Sequence, residues 1–244
     1  MIAPALGLVG LLIGSHIAVL VVRWPDCISA LTGRSRCDSC QRQLASMELI
    51  PIASTVLLRG HCRTCHAPIP ALHWKIELAA CAIGVLAGFA PSLSLAIAGA
   101  VFGWQLLALA CLDITRLLLP NALNGILAIT GLMCATAGID PPFIERVIGA
   151  AIGIASLALV RLLYRQARGR EGLGGGDPKL LGAIGCWTGW QHIPLLVFAG
   201  SIIGLTFVLL QRLRGVQMSA EHRLPFGAML ATAAFLVWLV ITAT

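Results

Sequence analysis

The sequence predicts an all-α polytopic membrane protein, and three observations carry that reading. Hydrophobic residues make up 58% of the chain's 244 residues and charged residues only 11%, with a mean hydropathy of +0.91. A single soluble core of this length cannot enclose so many apolar side chains, so most must face lipid or one another, and a water-soluble monomer is excluded. The apolar residues also fall into stretches near the length of a bilayer span. Finally, the basic residues behind the formal net charge of +7 lie between those stretches rather than in one patch. That placement fits anionic lipid at a membrane face and gives no reason to invoke nucleic acid.

Taken in order, the apolar stretches lie at roughly 2–22, 76–90, 93–112, 120–139, 144–164, 178–191, 193–210 and 225–243, about eight transmembrane helices, two of them short. No basic residue precedes the first stretch. It is followed by Arg23-Trp24-Pro25 without a small-residue cleavage site, so it reads as a retained span and not as a removable leader. Asp113 closes the third stretch, Leu119-Pro120-Asn121 opens the fourth, and Asp177-Pro178 opens the sixth. With the N-terminus outside, every Lys and Arg except Arg146 falls on the inner side, which sets the orientation by the positive-inside rule.

Residues 24–75 form the one long polar segment, placed in the cytoplasm by that orientation. About 50 residues enclose little core, and units of this size commonly need a metal or disulfides. The segment holds Cys37-Asp38-Ser39-Cys40 and Cys62-Arg63-Thr64-Cys65. Each CxxC turn can offer two thiolates, and two such turns close a tetrahedral four-sulfur site with no open position. The pattern predicts a structural zinc ion bound by Cys37, Cys40, Cys62 and Cys65. Redox chemistry is the competing reading, disfavoured in a reducing cytosol and by the doubling of the motif. His61 and His66 flank the second pair but are not needed as ligands. Cys27, Cys81, Cys111, Cys134 and Cys186 lack a partner at ligand spacing and read mostly as small apolar helix residues.

Ionisable groups at the edge of hydrocarbon are costly, which makes Asp113 and Asp177 functional candidates on the inner face. The bland alternative for Asp113 is a salt bridge to Arg116; for Asp177 it is an N-cap ahead of Pro178. A cap alone does not require Gly174-Gly175-Gly176 just before it, a run that suits a hinge or the close approach of an extended chain. Two carboxylates within hydrogen-bonding distance divide the roles of acid and base. One deprotonates a water that attacks a peptide carbonyl, and the other stabilises the oxyanion and then helps the amine leave.

As a set, these residues resemble the prepilin peptidases, or type IV leader peptidases, membrane aspartic proteases with a GxGD motif. Gly174-Gly175-Gly176-Asp177 with Lys179-Leu180 is similar to GxGDxKL, and Asp113 followed by Leu119-Pro120-Asn121 to the first aspartate segment. Gly14-Ser15, Arg23-Trp24-Pro25, Ser35-Arg36-Cys37, Ile50-Pro51, Ser54, the segment Leu58 to Arg63, Glu77 and Pro225-Phe226-Gly227 extend the likeness over nearly the whole chain. Ala18, Trp24, Leu49 and Pro178 depart from the family's usual residues. The resemblance implies cleavage of the basic leader of type IV prepilins or type II secretion pseudopilins at the inner face of the bacterial cytoplasmic membrane. It further implies N-methylation of the new terminus with S-adenosylmethionine. Asp113 and Asp177 would be catalytic, with Gly174, Gly176 and Lys179 in support.

A proton- or ion-coupled transporter also places acids in a helix bundle, but usually near the midplane and with repeated halves. Neither feature is visible in this sequence. A zinc-bearing membrane scaffold would leave the aspartates and glycines unexplained.

Overall fold

The computed structural model describes residues 2–24, 36–37, 39–45, 48, 51–52, 57–215 and 224–243. Eight helices are found among them: α1 (Ile2–Arg23), α2 (Leu72–Ala87), α3 (Leu93–Arg116), α4 (Asn121–Thr136), α5 (Phe143–Arg168), α6 (Asp177–Thr188), α7 (Ile193–Leu213) and α8 (Phe226–Ala243). By length and composition, α1, α3, α5 and α7 can each cross a membrane, whereas α2 and α4 have 16 residues and α6 only 12. The chain divides into two compact units, Met1–Trp104 and Gln105–Thr244.

In the first unit, α1 packs along α2 through small residues. A methyl group on Gly10 would run into the backbone of Ala80, and one on Gly84 into the backbone of Leu6. In lipid, where apolar side chains gain little by leaving one solvent for another, such close backbone approach supplies the packing. Trp104 Nε1 donates to Ala80 O at 2.9 Å, fastening the middle of α3 to α2.

In the second unit, α6 is the buried element: every residue from Asp177 to Thr188 except Lys179 is enclosed. α4 and α5 pack against it, and Trp187 Nε1 donates to Leu127 O of α4 at 2.7 Å. At about 1.5 Å per residue, α6 covers about 18 Å, less than the hydrocarbon thickness, so its last carbonyls need partners inside the protein. Arg146 supplies them. It is 1% exposed, and its guanidinium donates to the carbonyls of Cys186 (2.8 Å), Trp187 (3.2 Å), Gly131 (2.9 Å), Ile139 (2.8 Å), Asp140 (3.0 Å) and Pro141 (2.7 Å). The arginine that stands apart in the loop charge pattern thus ties the end of α6 to α4 and the turn before α5.

Two boundaries differ from the sequence reading in an informative way. α3 does not close at Leu112 but continues to Arg116, because falling hydropathy does not break a helix; it ends where Leu117 turns left-handed, φ 52°. α5 likewise runs past 164 to Arg168, with Arg165 and Arg168 beside its terminal carbonyls and Gly169 left-handed at φ 65° as the cap. Cys81, Cys111, Cys134 and Cys186 lie in helices, as expected. Pro25, Cys27, Ser35, Asp38, Leu49, Ile50 and Ser54, named in the sequence reading, lie outside the described residues.

Candidate active site and metal cluster

Asp113 and Asp177 come together, each only 5% exposed. Asp113 sits in the last turn of α3. Its Oδ2 accepts the backbone N–H of Ala228 at 2.9 Å, a group from the first turn of α8, where helix N–H groups have no partner within the helix. Among the described residues Asp113 makes no ion pair, so the bridge to Arg116 is not formed. Asp177 is the first residue of α6, with Gly176 in the N-cap position and no capping side chain. The N-cap alternative therefore fails: proline tolerates either of the first two helical positions, and Gly176 takes the cap. The Asp177 carboxylate turns back over the glycine run, and a methyl group on Gly174 would come within 2.9 Å of its Oδ2.

The two carboxylates face one point. A methyl group on Gly227 would lie 3.0 Å from Asp113 Oδ2 and 3.2 Å from Asp177 Oδ1. Leu119 closes a third side, its Cδ1 2.7 Å from that point and its Cβ 2.7 Å from where a methyl on Gly176 would stand. Three helix termini and one leucine therefore meet at Gly227, with an oxygen of each aspartate beside it. Arg161 lies over the glycine run, its Nη1 3.1 Å from a methyl placed on Gly175, and is itself held by Glu171 at 2.8 Å.

Of the supporting residues expected from the sequence, Gly174 and Gly176 border the aspartate pair. Lys179 does not; its Nζ donates to Asn121 Oδ1 at 2.8 Å and joins α6 to the start of α4. Gly227, Ala228, Leu119 and Arg161 were not singled out for a role. The sequence signals for them were slight: Pro225-Phe226-Gly227 and Leu119-Pro120 as parts of motifs, and a basic residue within an apolar stretch.

In the first unit, one ligand atom from each of Cys37, Cys40, Cys62 and Cys65 lies within 4.8 Å of all the others, a cluster that can hold a metal ion. The two turns are built alike. Cys37 N–H donates to Arg42 O and Gln41 N–H to Cys37 O; Cys62 N–H donates to Ala67 O and His66 N–H to Cys62 O. Gln41 and His66, each just after a second cysteine, are left-handed at φ 57° and 55°. The N–H groups of Cys65 and Thr64 hold the Cys62 thiol down to about 6, which favours the thiolate a metal requires. His61 Nδ1 is engaged with Arg59 O at 2.8 Å, and neither His61 nor His66 belongs to the cluster. Beside the cluster opens a cavity of about 200 Å³, bordered by Ser15, Arg36, Cys37, Cys62, Arg63 and Glu77 among others.

Span-length apolar helices and two buried aspartates brought together, as found among the described residues, are features that a membrane aspartic peptidase needs. Residues 100–209 match the model of the type IV leader peptidase family, and residues 8–90 that of the bacterial peptidase A24 N-terminal domain. The chain belongs to the type IV leader peptidase family. It is 36% identical to the prepilin leader peptidase/N-methyltransferase of Dichelobacter nodosus, over 86% of this chain and 72% of that one. It is 37% identical to the protein of that name from Burkholderia pseudomallei (strain K96243), over 91% and 80%, and 34% identical to that from Dickeya chrysanthemi, over 94% and 89%. No solved structure matches the chain.

Proposed function

We propose that this chain is a prepilin leader peptidase and N-methyltransferase, with Asp113 and Asp177 as its catalytic pair. The observation that carries the peptidase reading is the single point beside Gly227 faced by an oxygen of each aspartate. A water held between the two carboxylates is within reach of both. One carboxylate takes its proton as the oxygen attacks the scissile carbonyl; the other, protonated, donates to the developing oxyanion, and a proton then passes to the departing amine. Gly174 and Gly176 let the Asp177 carboxylate and Leu119 approach the backbone closely, and Lys179 holds the start of α6 through Asn121.

The substrates are type IV prepilins or type II secretion pseudopilins. The protein is a multi-pass protein of the bacterial inner membrane, its eight helices all embedded, with the N-terminus outside and the active site at the cytoplasmic face. Residues 1–23 are the first transmembrane helix, 24–75 the cytoplasmic metal-binding domain and 76–244 the peptidase bundle. The metal is zinc in a structural role. A tetrahedral site with Zn–S bonds near 2.3 Å has S–S edges of about 3.8 Å, and Cys37 Sγ and Cys65 Sγ stand 3.8 Å apart. S-adenosylmethionine supplies the methyl group that the new N-terminal amine accepts. The cavity beside the cysteines offers both guanidinium and carboxylate side chains to such a zwitterionic cation.

The test is incubation of the purified full chain with a prepilin peptide and S-adenosylmethionine, followed by mass spectrometry. The expected products are the free leader and a mature peptide heavier by one methyl group. An intact peptide would overturn the peptidase reading, and a cleaved but unmethylated one the methyltransferase reading.

A further inference from the structure

In the second unit, α4 and α5 leave a groove of about 360 Å³ between them over α6. Its floor is one face of α6, with Lys179, Gly182, Ala183 and Cys186 at helical spacing, set about half a turn round the helix from Asp177. Asn121, Asn124, Gly125 and Ala128 of α4 form one wall, and Ala150 and Ile154 of α5 the other. The groove begins beside the aspartate pair: Lys179 follows Asp177 by two residues and bonds Asn121, itself two residues after Leu119. Asn124 lies three residues further along α4, about 4.5 Å deeper. It is 5% exposed, and neither its Oδ1 nor its Nδ2 has a hydrogen-bond partner among the described residues. A buried amide with both polar atoms unpaired is costly in apolar surroundings, and native proteins rarely keep one without a use for it. Next to it, a methyl group on Gly125 would meet nothing within 4 Å, so no side chain of the described protein fills the space there.

We propose that this groove seats the apolar segment of the substrate that follows the scissile bond, with Asn124 binding that segment's backbone. The proposal rests on the peptidase reading and on the orientation given with it. A cut at the cytoplasmic edge of the bilayer, with the positively charged side of the substrate held in the cytoplasm, leaves the other side to enter the membrane. A segment that enters as a helix brings a difficulty of its own: the N–H groups of its first turn have no partner within the helix, and lipid offers none. Asn124 Oδ1 accepts one of them, and Nδ2 donates to a carbonyl of the extended residues just before. From Asp177 to the groove is about the width of a helix, about 10 Å, which about three extended residues span. Shape selects the occupant. A second copy of the chain would present the same concave face, whereas one ridge of side chains on a substrate helix enters a groove floored by Gly182 and Ala183.

Two substrates separate the groove from the chemistry: a full-length prepilin, and a peptide with the same leader that ends about three residues past the scissile bond. Steady-state cleavage of both by the full chain in detergent is measured for the wild type, Asn124→Leu and Gly125→Leu. In each variant kcat/KM for the prepilin, taken relative to that for the short peptide, is expected to fall at least about tenfold, mainly through KM, the scale of one lost buried contact. Gly125→Leu puts a better helix former into open space, so it tests the groove even where Asn124→Leu fails to fold. A photoreactive benzoylphenylalanine at Ala128, in Asp177→Asn protein that holds the prepilin uncut, should cross-link to the segment past the scissile bond. Failure of the wild type to cut either substrate would overturn the peptidase reading. Cleavage by the wild type with an unchanged ratio in Gly125→Leu, or with no cross-link from Ala128, would overturn the groove assignment alone.

Discussion

The backbone N–H of Ala228 donates to Oδ2 of Asp113 across 2.9 Å, joining residues 115 apart in the chain. The bond delivers the first turn of α8 to the aspartate pair and leaves Gly227 pressed between the two carboxylates. Replacing Gly227 with alanine puts a methyl group 3.0 Å and 3.2 Å from the two aspartate oxygens and 2.7 Å from Leu119 Cδ1. The helix itself favours alanine over glycine. Gly227→Ala is therefore expected to fold and to cut prepilin on the order of 100-fold more slowly, since displacements of about 1 Å at reacting groups cost that much. Unchanged turnover would show that cleavage does not depend on the close approach of α8 to the two carboxylates.

Asp113→Asn and Asp177→Asn are each expected to lower the cleavage rate by at least about 10²–10⁴-fold, the range for loss of a general acid or base. Because the pair acts as a unit, the double variant should be no slower than either single one. Single-turnover cleavage assays on protein of equal expression decide this, and additive losses would contradict a shared water.

What the sequence made legible follows from the kind of signal each residue carries. Asp113 and Asp177 stood out because an acid among apolar residues is conspicuous on its own, and the four cysteines because ligand spacing is local. Leu119 and Gly227 carry no such mark. Their role exists only where the ends of three helices meet, and nothing in a leucine or a glycine records that meeting. Asp177 was open to reading as a cap because Pro178 is compatible with either start of the helix. The basic-residue pattern placed Arg146 apart from the others but could not tell a loop charge from a buried one that closes a helix too short for the membrane.

Arg146 leads to a stability prediction. Its guanidinium meets six carbonyls, two at the end of α6, one in α4 and three in the turn before α5. Arg146→Met keeps much of the side-chain bulk and removes every donor, and each buried carbonyl left unpaired costs about 1–3 kcal/mol. A loss of at least about 3 kcal/mol is expected, read as a marked drop in Tm in detergent. Arg146→Lys, with one ammonium for six acceptors, should recover only part. A Tm within a degree of the wild type for Arg146→Met would mean that water satisfies those carbonyls.

Glu48 gives the polar segment a pH dependence of calculable sign. The Arg42 guanidinium at 2.6 Å and the Ala45 N–H at 2.7 Å hold its carboxyl below the usual glutamate value. A depressed folded value means that the stabilisation is complete above the unfolded value of about 4.3 and disappears as pH falls through the lower folded one. The Arg42 side chain is partly exposed, so the effect should stay within about 1 kcal/mol. Below pH 4.3 the segment should become easier to proteolyse. Glu48→Gln should carry that sensitivity at neutral pH and show a flatter acid profile; identical profiles would remove the pair from the account.

The cysteine cluster leads to a prediction about metal. Freshly purified protein should contain one zinc ion per chain by elemental analysis. Binding free energy at a site of this kind is largely folding free energy, because the unfolded segment has no preformed site. Cys37→Ser, Cys40→Ser, Cys62→Ser and Cys65→Ser should each lose the ion and open residues 24–75 to limited proteolysis, with the remaining helices less affected. His61→Ala and His66→Ala should keep it, since His61 is engaged with Arg59 O and neither histidine joins the sulfur cluster. A chelator should reproduce the cysteine phenotype, and restored zinc should reverse it. Protein purified without chelator that contains no zinc, or a serine variant with a full complement, would exclude the four-sulfur site.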